Sequence, residues 1–435
     1  MEILALLLFL SIFLLILYGF PVAFTLGGIS ILYAICFFEP AAFSALPPRI
    51  MGVMSNYVLL AVPLFVYMGI MLEKSGLAES LLETMAMLFG KMKGGLAISV
   101  VIVGALLAAS TGIVGATVIT MGLISLPTML KRGYQPELAT GTIASSGTLG
   151  QIIPPSVVLV LLGSVLNVSV GDLFAAALLP GILLVLFYIA YIVIISRIYP
   201  ERAPLIPQSE IDTFRQGNFI WKVVKVFLLP LLLIIAVLGS IFAGIASPTE
   251  AAAVGAVGAT LLTILQKRFN LAILKSVMRE TTHLTSMVFW ILLGATTFSF
   301  VFRELGGDRY LIELIEDANL SATAFLILVM IVVFIAGFFI DFIEIIFIIV
   351  PVVAPIFVQY EVDLIWIGIL LALNLQTSFL SPPFGFALFY LKGVAPKEVT
   401  TQHLYRGILP FVVIQAIFLV VVILFPEVVF VFVRD

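Results

Sequence analysis

Largely apolar runs such as Ile3 to Leu17 and Phe411 to Val433 constrain this chain more than any other feature. A helix needs about 20 apolar residues to cross the hydrocarbon core of a bilayer. In that medium every backbone N–H and C=O must be satisfied within the spanning element, which leaves helices or closed barrels. The roughly ten-residue alternating segments of a spanning barrel are missing, so the runs predict a polytopic helical membrane protein. Composition agrees: 63% of the 435 residues are hydrophobic and 10% charged, against about 45–50% and about 25% in soluble domains. That excludes a cytosolic enzyme, a nucleic-acid binder and a disordered protein. The single cysteine, Cys36, excludes an internal disulfide and a cysteine-clustered metal site. Met1-Glu2 leads straight into an apolar run without a basic region and reads as a first crossing rather than a cleaved signal.

Ten crossings are expected, near 3–19, 22–38, 50–72, 135–166, 173–196, 226–245, 250–266, 281–302, 364–391 and 407–432. Two further segments, 95–130 and 323–358, read as re-entrant hairpins interrupted near Ser110-Thr111-Gly112 and near Asp341 to Glu344. The basic residues set the orientation. If 74–93, 131–132, 197–225, 267–279 and 392–406 face the cytoplasm, they hold 17 of the 21 Lys and Arg. That bias puts both termini outside and has the two hairpins enter from opposite sides.

A repeat supports the same inversion. Pro127, Pro154 and Pro155 recur 228 residues later as Pro355, Pro382 and Pro383. Pro21 and Gly28 match Pro248 and Gly255, and Gly76 matches Gly306. Each half then holds five crossings and one hairpin, joined by the basic loop 197–225. Paired interrupted segments in inverted halves point to a secondary transporter. Leu77 to Leu88 and Tyr310 to Ile315 are amphipathic and read as short helices lying in the interface or as solvated connectors.

Four irregular stretches are expected to meet near the bilayer midplane: Ser110 to Gly115, Ala144 to Gln151 with Pro154-Pro155, Gly337 to Asp341, and Asn374 to Ser378 with Ser381-Pro382-Pro383. Proline removes a backbone donor and glycine weakens a helix, so each stretch leaves polar groups that persist at membrane depth only where they line a cavity or bind something. Freed carbonyls and hydroxyls suit a hard cation such as Na⁺; half-helix N-termini suit an anion. Asp341 and Glu344 are the only carboxylates well inside an apolar run, which favours a cation-site or gating role for Asp341. Glu344 is open between a second ligand, a proton-sensitive group and a partner for a buried donor. Glu250, after Ser247-Pro248-Thr249, reads as a helix cap. His283 and His403 fall at crossing ends, and no catalytic motif of the G-x-S-x-G, H-E-x-x-H or phosphate-loop kind occurs.

At these residues the sequence resembles the large membrane subunit of TRAP (tripartite ATP-independent periplasmic) transporters. The resemblance rests on Gly122 to Pro127 through Lys131 to Tyr134, on Ala144 to Pro155, on Ala246 to Ala253, on Gly337 to Asp341 and on Asn374 to Gly385. It implies a bacterial inner-membrane symporter driven by Na⁺ and typically importing organic acids. Its implied partners are a small four-helix membrane subunit and a soluble periplasmic substrate-binding protein. It also implies an inverted-repeat fold with a scaffold and a mobile, elevator-like transport part. On that basis 1–93 is scaffold and arm of the first repeat, and 94–197 its hairpin and broken helix. Residues 198–322 are the join with the second scaffold and arm, and 323–435 the second transport part. One sodium site is then expected from Ser110, Thr111 and Gly112 with Ser146, Gly147 and Thr148. The other is expected from Gly337 and Asp341 with Thr377 and Ser381. The substrate is expected at Ser145, Gly150, Gln151, Pro154, Gln376, Thr377, Ser378 and Pro382. No strongly basic residue lies among the four stretches, so a carboxylate would be held by dipoles, hydroxyls and Gln151 or Gln376. A stand-alone Na⁺/carboxylate carrier and an ion channel are the rival readings.

Overall fold

The computed structural model describes residues 2–112, 114–215, 219–383 and 385–433; for Glu2, Ser110, Thr111, Arg215, Ile220 and Lys222 it describes the backbone alone. The described residues form helices and no strand. The first half runs α1 (Glu2–Leu17), α2 (Val22–Phe37), α3 (Leu46–Met54), α4 (Ala61–Lys74) and α5 (Leu77–Phe89). It continues with α6 (Gly95–Thr111), α7 (Val114–Lys131), α8 (Pro136–Thr148), α9 (Val157–Leu166) and α10 (Val170–Ile198). Two short helices, α11 (Gln208–Arg215) and α12 (Phe219–Val223), make the connection. The second half runs α13 (Leu229–Phe242), α14 (Pro248–Leu265), α15 (Leu271–Glu304), α16 (Gly307–Asp317) and α17 (Ala322–Ala336). It ends with α18 (Phe342–Ile348), α19 (Val350–Gln359), α20 (Leu364–Leu380), α21 (Phe386–Val394), α22 (Thr401–Leu424) and α23 (Glu427–Phe430).

Among the described residues seven helices are long and apolar enough to cross a membrane: Tyr57–Lys74, Val114–Lys131, Val170–Ile198, Val224–Phe242, Pro248–Leu265, Leu271–Glu304 and Thr401–Leu424. The pair α18–α19 passes the same test together but is bent by 50°, as a broken span or a re-entrant loop is. α1 and α2 have 16 residues each, about 24 Å of helix. The expected crossings at 135–166 and 364–391 are the broken pairs α8–α9 and α20–α21.

Local chemistry explains where the helices depart from the expected bounds. The stretch 50–72 is not one helix but α3, a 3₁₀ turn and α4, because the Asn56 side chain accepts the Val58 N–H and starts a new element. α15 begins ten residues before the expected crossing. Its cap is Asn270, whose side chain accepts the Ile273 N–H, so the basic segment 267–279 is mostly helix rather than loop. α5 packs one face into the protein, with Leu77, Ala78, Leu81, Leu82, Met85 and Ala86 buried, and leaves Glu79, Glu83 and Leu88 exposed. α16, its counterpart, buries only Gly307 and Ile315 among its described residues. Both arms start at a glycine with positive φ, Gly76 at +68° and Gly306 at +79°.

The halves interlock. α7, the outgoing arm of the first hairpin, packs on α21 of the second half, while α18 and α19 pack on α9 of the first. α8 lies against α6, α7 and α22, and α20 against α10, α17 and α22. The second break also meets the first: α20 packs against α8 and against the 3₁₀ turn Leu149–Gln151.

Candidate functional site

At the first break, α8 ends in a run of hydroxyl residues and passes through a 3₁₀ turn, Leu149–Gln151, before α9. Ser145, Ser146, Thr148 and Gln151 are fully buried. The Ser145 hydroxyl donates to the Thr142 carbonyl (3.1 Å), Ser146 to Ile143 (3.0 Å) and Thr148 to Ser145 (2.9 Å). The second break repeats the device: Thr377 donates to Leu373 (2.7 Å), Ser378 to Leu375 (2.9 Å) and Ser381 to Thr377 (2.8 Å). A hydroxyl whose one proton is spent on its own helix keeps only lone pairs to offer a neighbour. These six groups are therefore acceptors, the donor type a hard cation takes. The peptide bonds Pro154–Pro155 and Pro382–Pro383 are both cis.

Each hairpin docks on the break of its own half. α6 ends at Gly112, whose φ of +61° closes the helix in the left-handed region that glycine adopts without a Cβ penalty. A Cβ there would lie 2.9 Å from the Val157 nitrogen, so the hairpin tip rests on the start of α9. A Cβ on Gly150 would lie 2.5 Å from the Ala108 carbonyl, and one on Gly147 would lie 2.4 Å from Val118. The two arms of the first hairpin thus touch the end of α8 and the start of α9, through Val118 at Gly147, Ala108 at Gly150 and Gly112 at Val157. The side chains of Ser110 and Thr111 lie outside the described residues. In the second half a Cβ on Gly337 would come within 2.1 Å of Ser378 Oγ. Ser378, expected beside the substrate, touches the residue expected at the second sodium site. The Phe342 and Phe379 rings, 6.0 Å apart, bring the Asp341 tip alongside the same break. Pro154 is buried and Pro382 half-buried at the two Pro-Pro turns.

Asp341 and Glu344 lie differently from the expected mid-hairpin interruption. The break covers Gly337 to Asp341, and α18 resumes at Phe342. Asp341 is its N-cap: the Phe342 N–H donates to Asp341 Oδ1 (2.6 Å), and the Asp341 N–H donates to Glu344 Oε2 (3.3 Å). Of the alternatives left open, Glu344 is the partner of a backbone donor in a capping box. Glu250 caps α14 as expected, in the same box with Ser247. Among the described residues neither Asp341 nor Glu344 forms a salt bridge, and no group of three or more His, Cys, Asp or Glu could hold a metal ion.

Two carboxamides stand out. Gln151 and Gln376 are 0% exposed, and the nitrogen and oxygen of both side chains are without a hydrogen-bond partner. α20, which carries Gln376, packs against the Leu149–Gln151 turn. A buried polar group without a partner costs about 1–3 kcal/mol, and two whole amides left open at the two breaks are rare enough in folded proteins to demand a ligand or a role.

The sequence reading missed two contributors. A Cβ on Gly115 would lie 3.0 Å from the Tyr390 ring, so Tyr390 of α21 joins the first hairpin to the second break. Its position on an apolar segment gives no signal by itself. Glu73, at the end of α4, accepts a hydrogen bond from Thr120 of the first hairpin. A carboxylate beside a lysine at a span end reads as a solvated flank.

A model of the family described as "Tripartite ATP-independent periplasmic transporter, DctM component" matches residues 9–428. A C4-dicarboxylate TRAP transporter large permease protein of Pseudomonas aeruginosa is 32% identical over 404 residues, covering 92% of each chain. The protein of the same name in Vibrio cholerae is 30% identical over 441 residues, covering 97% of this chain and 95% of its own. An ectoine TRAP transporter large permease protein of Halomonas elongata is 27% identical, with 97% and 96% covered. The crystal structure of the Alcanivorax borkumensis YdaH transporter shares the fold, with a TM-score of 0.61 at 14% identity over 89% of each chain. The paired breaks, the apolar helices and the near full-length match agree: the chain is a multi-pass membrane transporter rather than an enzyme, and belongs to the TRAP transporter large permease family.

Proposed function

We propose that the chain is the permease of a Na⁺-driven symporter in a bacterial inner membrane, importing an organic acid released by a soluble periplasmic binding protein and working beside a small membrane subunit. The observation that carries this reading is the pair of fully buried, unpartnered carboxamides at Gln151 and Gln376. A carboxamide donates through nitrogen and accepts through oxygen, so two of them meet a carboxylate together with its hydroxyl or amine substituents. The relatives' named solutes, a C4-dicarboxylate and ectoine, both bear carboxylates. Gly150, Pro154, Ser145, Thr377, Ser378 and Pro382 complete the substrate surface in this reading. Na⁺ is held by outward lone pairs of Ser146 and Thr148 with the Gly112 and Gly147 backbone at one break. At the other it is held by Gly337, Asp341, Thr377 and Ser381. Asp341 supplies the negative charge that a desolvated cation requires.

Hairpins and broken helices, 94–197 and 323–435, form the moving part, and 1–93 with 198–322 the scaffold. The split of basic residues supports opposite entry of the two hairpins and an inverted pair of halves. Uptake of a panel of organic acids into vesicles, driven by an imposed Na⁺ gradient and supplied with candidate partners, tests the reading. Uptake indifferent to the gradient would overturn it.

A further inference from the structure

The turn between α4 and α5 is tied to the second half of the chain by several bonds. Lys74 Nζ lies 3.0 Å from Glu280 of α15. Arg268 donates to the carbonyls of Ser75 (3.2 Å) and Gly76 (3.1 Å) and to Ser80 Oγ (3.1 Å). On its other side α4 packs against α6, and α5 against α6 and α7. α6 presents Ala, Val, Ile, Leu and Gly almost throughout. Apolar contact of that kind is non-directional and tolerates sliding, whereas a hydrogen bond has one geometry.

One such bond crosses from α4 to α7. The Thr120 hydroxyl donates to Glu73 Oε1. The other carboxylate oxygen, Oε2, is buried and has no partner. The carboxylate is therefore held here by a single side-chain bond, with half its acceptor capacity unmet.

We propose that Glu73 is a positioning residue, whose bond to Thr120 is the catch that registers the first hairpin against the scaffold. The proposal rests on the reading of α4 as scaffold and α7 as transport part. The unmet oxygen keeps the catch weak enough to release: when α7 slides, Glu73 loses one bond and gains access to water for both oxygens. A solvated flank has no reason to reach Thr120, and a purely structural carboxylate would have both oxygens bonded.

The test uses single cysteines in a Cys36→Ser background. Ile124→Cys places the probe in the crevice between α5 and α7, which Leu82, Ala86, Leu123, Ile124 and Thr128 line. Its labelling rate by a maleimide reports how often the crevice opens. Thr120→Val removes the donor and Glu73→Asp withdraws the acceptor by one methylene; each is expected to raise labelling about tenfold, the low end for a hydrogen bond to a charged group. Glu73→Gln keeps an acceptor oxygen at the same reach but loses the charge, so its labelling is expected to fall between the parent and Thr120→Val. The Glu73→Asp/Thr120→Val double variant is no more open than either single one. Parent-like labelling in both Thr120→Val and Glu73→Asp overturns the catch, as does a double variant whose effects multiply. Na⁺-driven uptake on the same vesicles separates the two readings. A parent protein without such uptake but with the labelling pattern intact defeats the transport reading and leaves the catch standing.

Discussion

Replacing Gln376 by methionine keeps an unbranched side chain of similar size and removes two polar atoms that have no partner. Gln376 is 0% exposed, and both ends of its carboxamide are open. Each unsatisfied group costs about 1–3 kcal/mol, and methionine fills the same space with contacts that need no partner. The variant is therefore expected to gain about 1–3 kcal/mol of stability in the substrate-free protein. In a domain of about 150–250 residues, 1 kcal/mol moves Tm by about 2–4 °C; a rise of a degree or more is expected in this longer chain. Transport moves the other way. A hydrogen bond to a charged group contributes about 1.5–3 kcal/mol, so the apparent affinity for the acid should fall at least about tenfold. Thermal unfolding in detergent and uptake in vesicles are the two assays. A variant that melts several degrees lower and transports normally would show that the amide has a structural partner, and would remove Gln376 from the substrate site.

Three more expectations concern the second break and the orientation of the halves. Asp341→Asn keeps an N-cap acceptor for the Phe342 N–H and folds normally, yet lowers apparent Na⁺ affinity at least about tenfold through loss of charge. Glu344→Gln preserves the capping box and leaves the Na⁺ curve within about twofold; uptake against Na⁺ concentration reads both. Single cysteines at Gln208 and at Glu361 should react with impermeant reagents from opposite faces of the membrane; labelling from one face would end the inverted-halves reading.

The breaks were legible because proline and glycine disturb a helix wherever they fall. Pro154-Pro155 and Pro382-Pro383 mark the two turns, and the hydroxyl runs before them mark the buried acceptors. The exact start of α18 was legible too, in principle: Asp341-Phe342-Ile343-Glu344 has the spacing of Ser247-Pro248-Thr249-Glu250, and both are capping boxes. It was obscured because a carboxylate in an apolar run draws attention as a ligand before it does as a cap. The length of α15 was hidden by hydropathy, which drops at the membrane boundary although the helix continues through Lys275 and Arg279 to its cap at Asn270. The burial of α5 and the Glu73–Thr120 bond depend on which surfaces meet in three dimensions, and no local pattern encodes that.

In the proposed function the four interrupted stretches couple an inward Na⁺ gradient to the uptake of an organic acid. The direct measurement is accumulation of a radiolabelled acid in vesicles holding this chain and its small membrane subunit, with loaded binding protein outside, before and after the Na⁺ gradient is collapsed by an ionophore. Accumulation above the external concentration that vanishes with the gradient, and is weak when either partner is left out, is the predicted result. Accumulation that survives collapse of the gradient, or flux at channel rates through the chain alone, would contradict it.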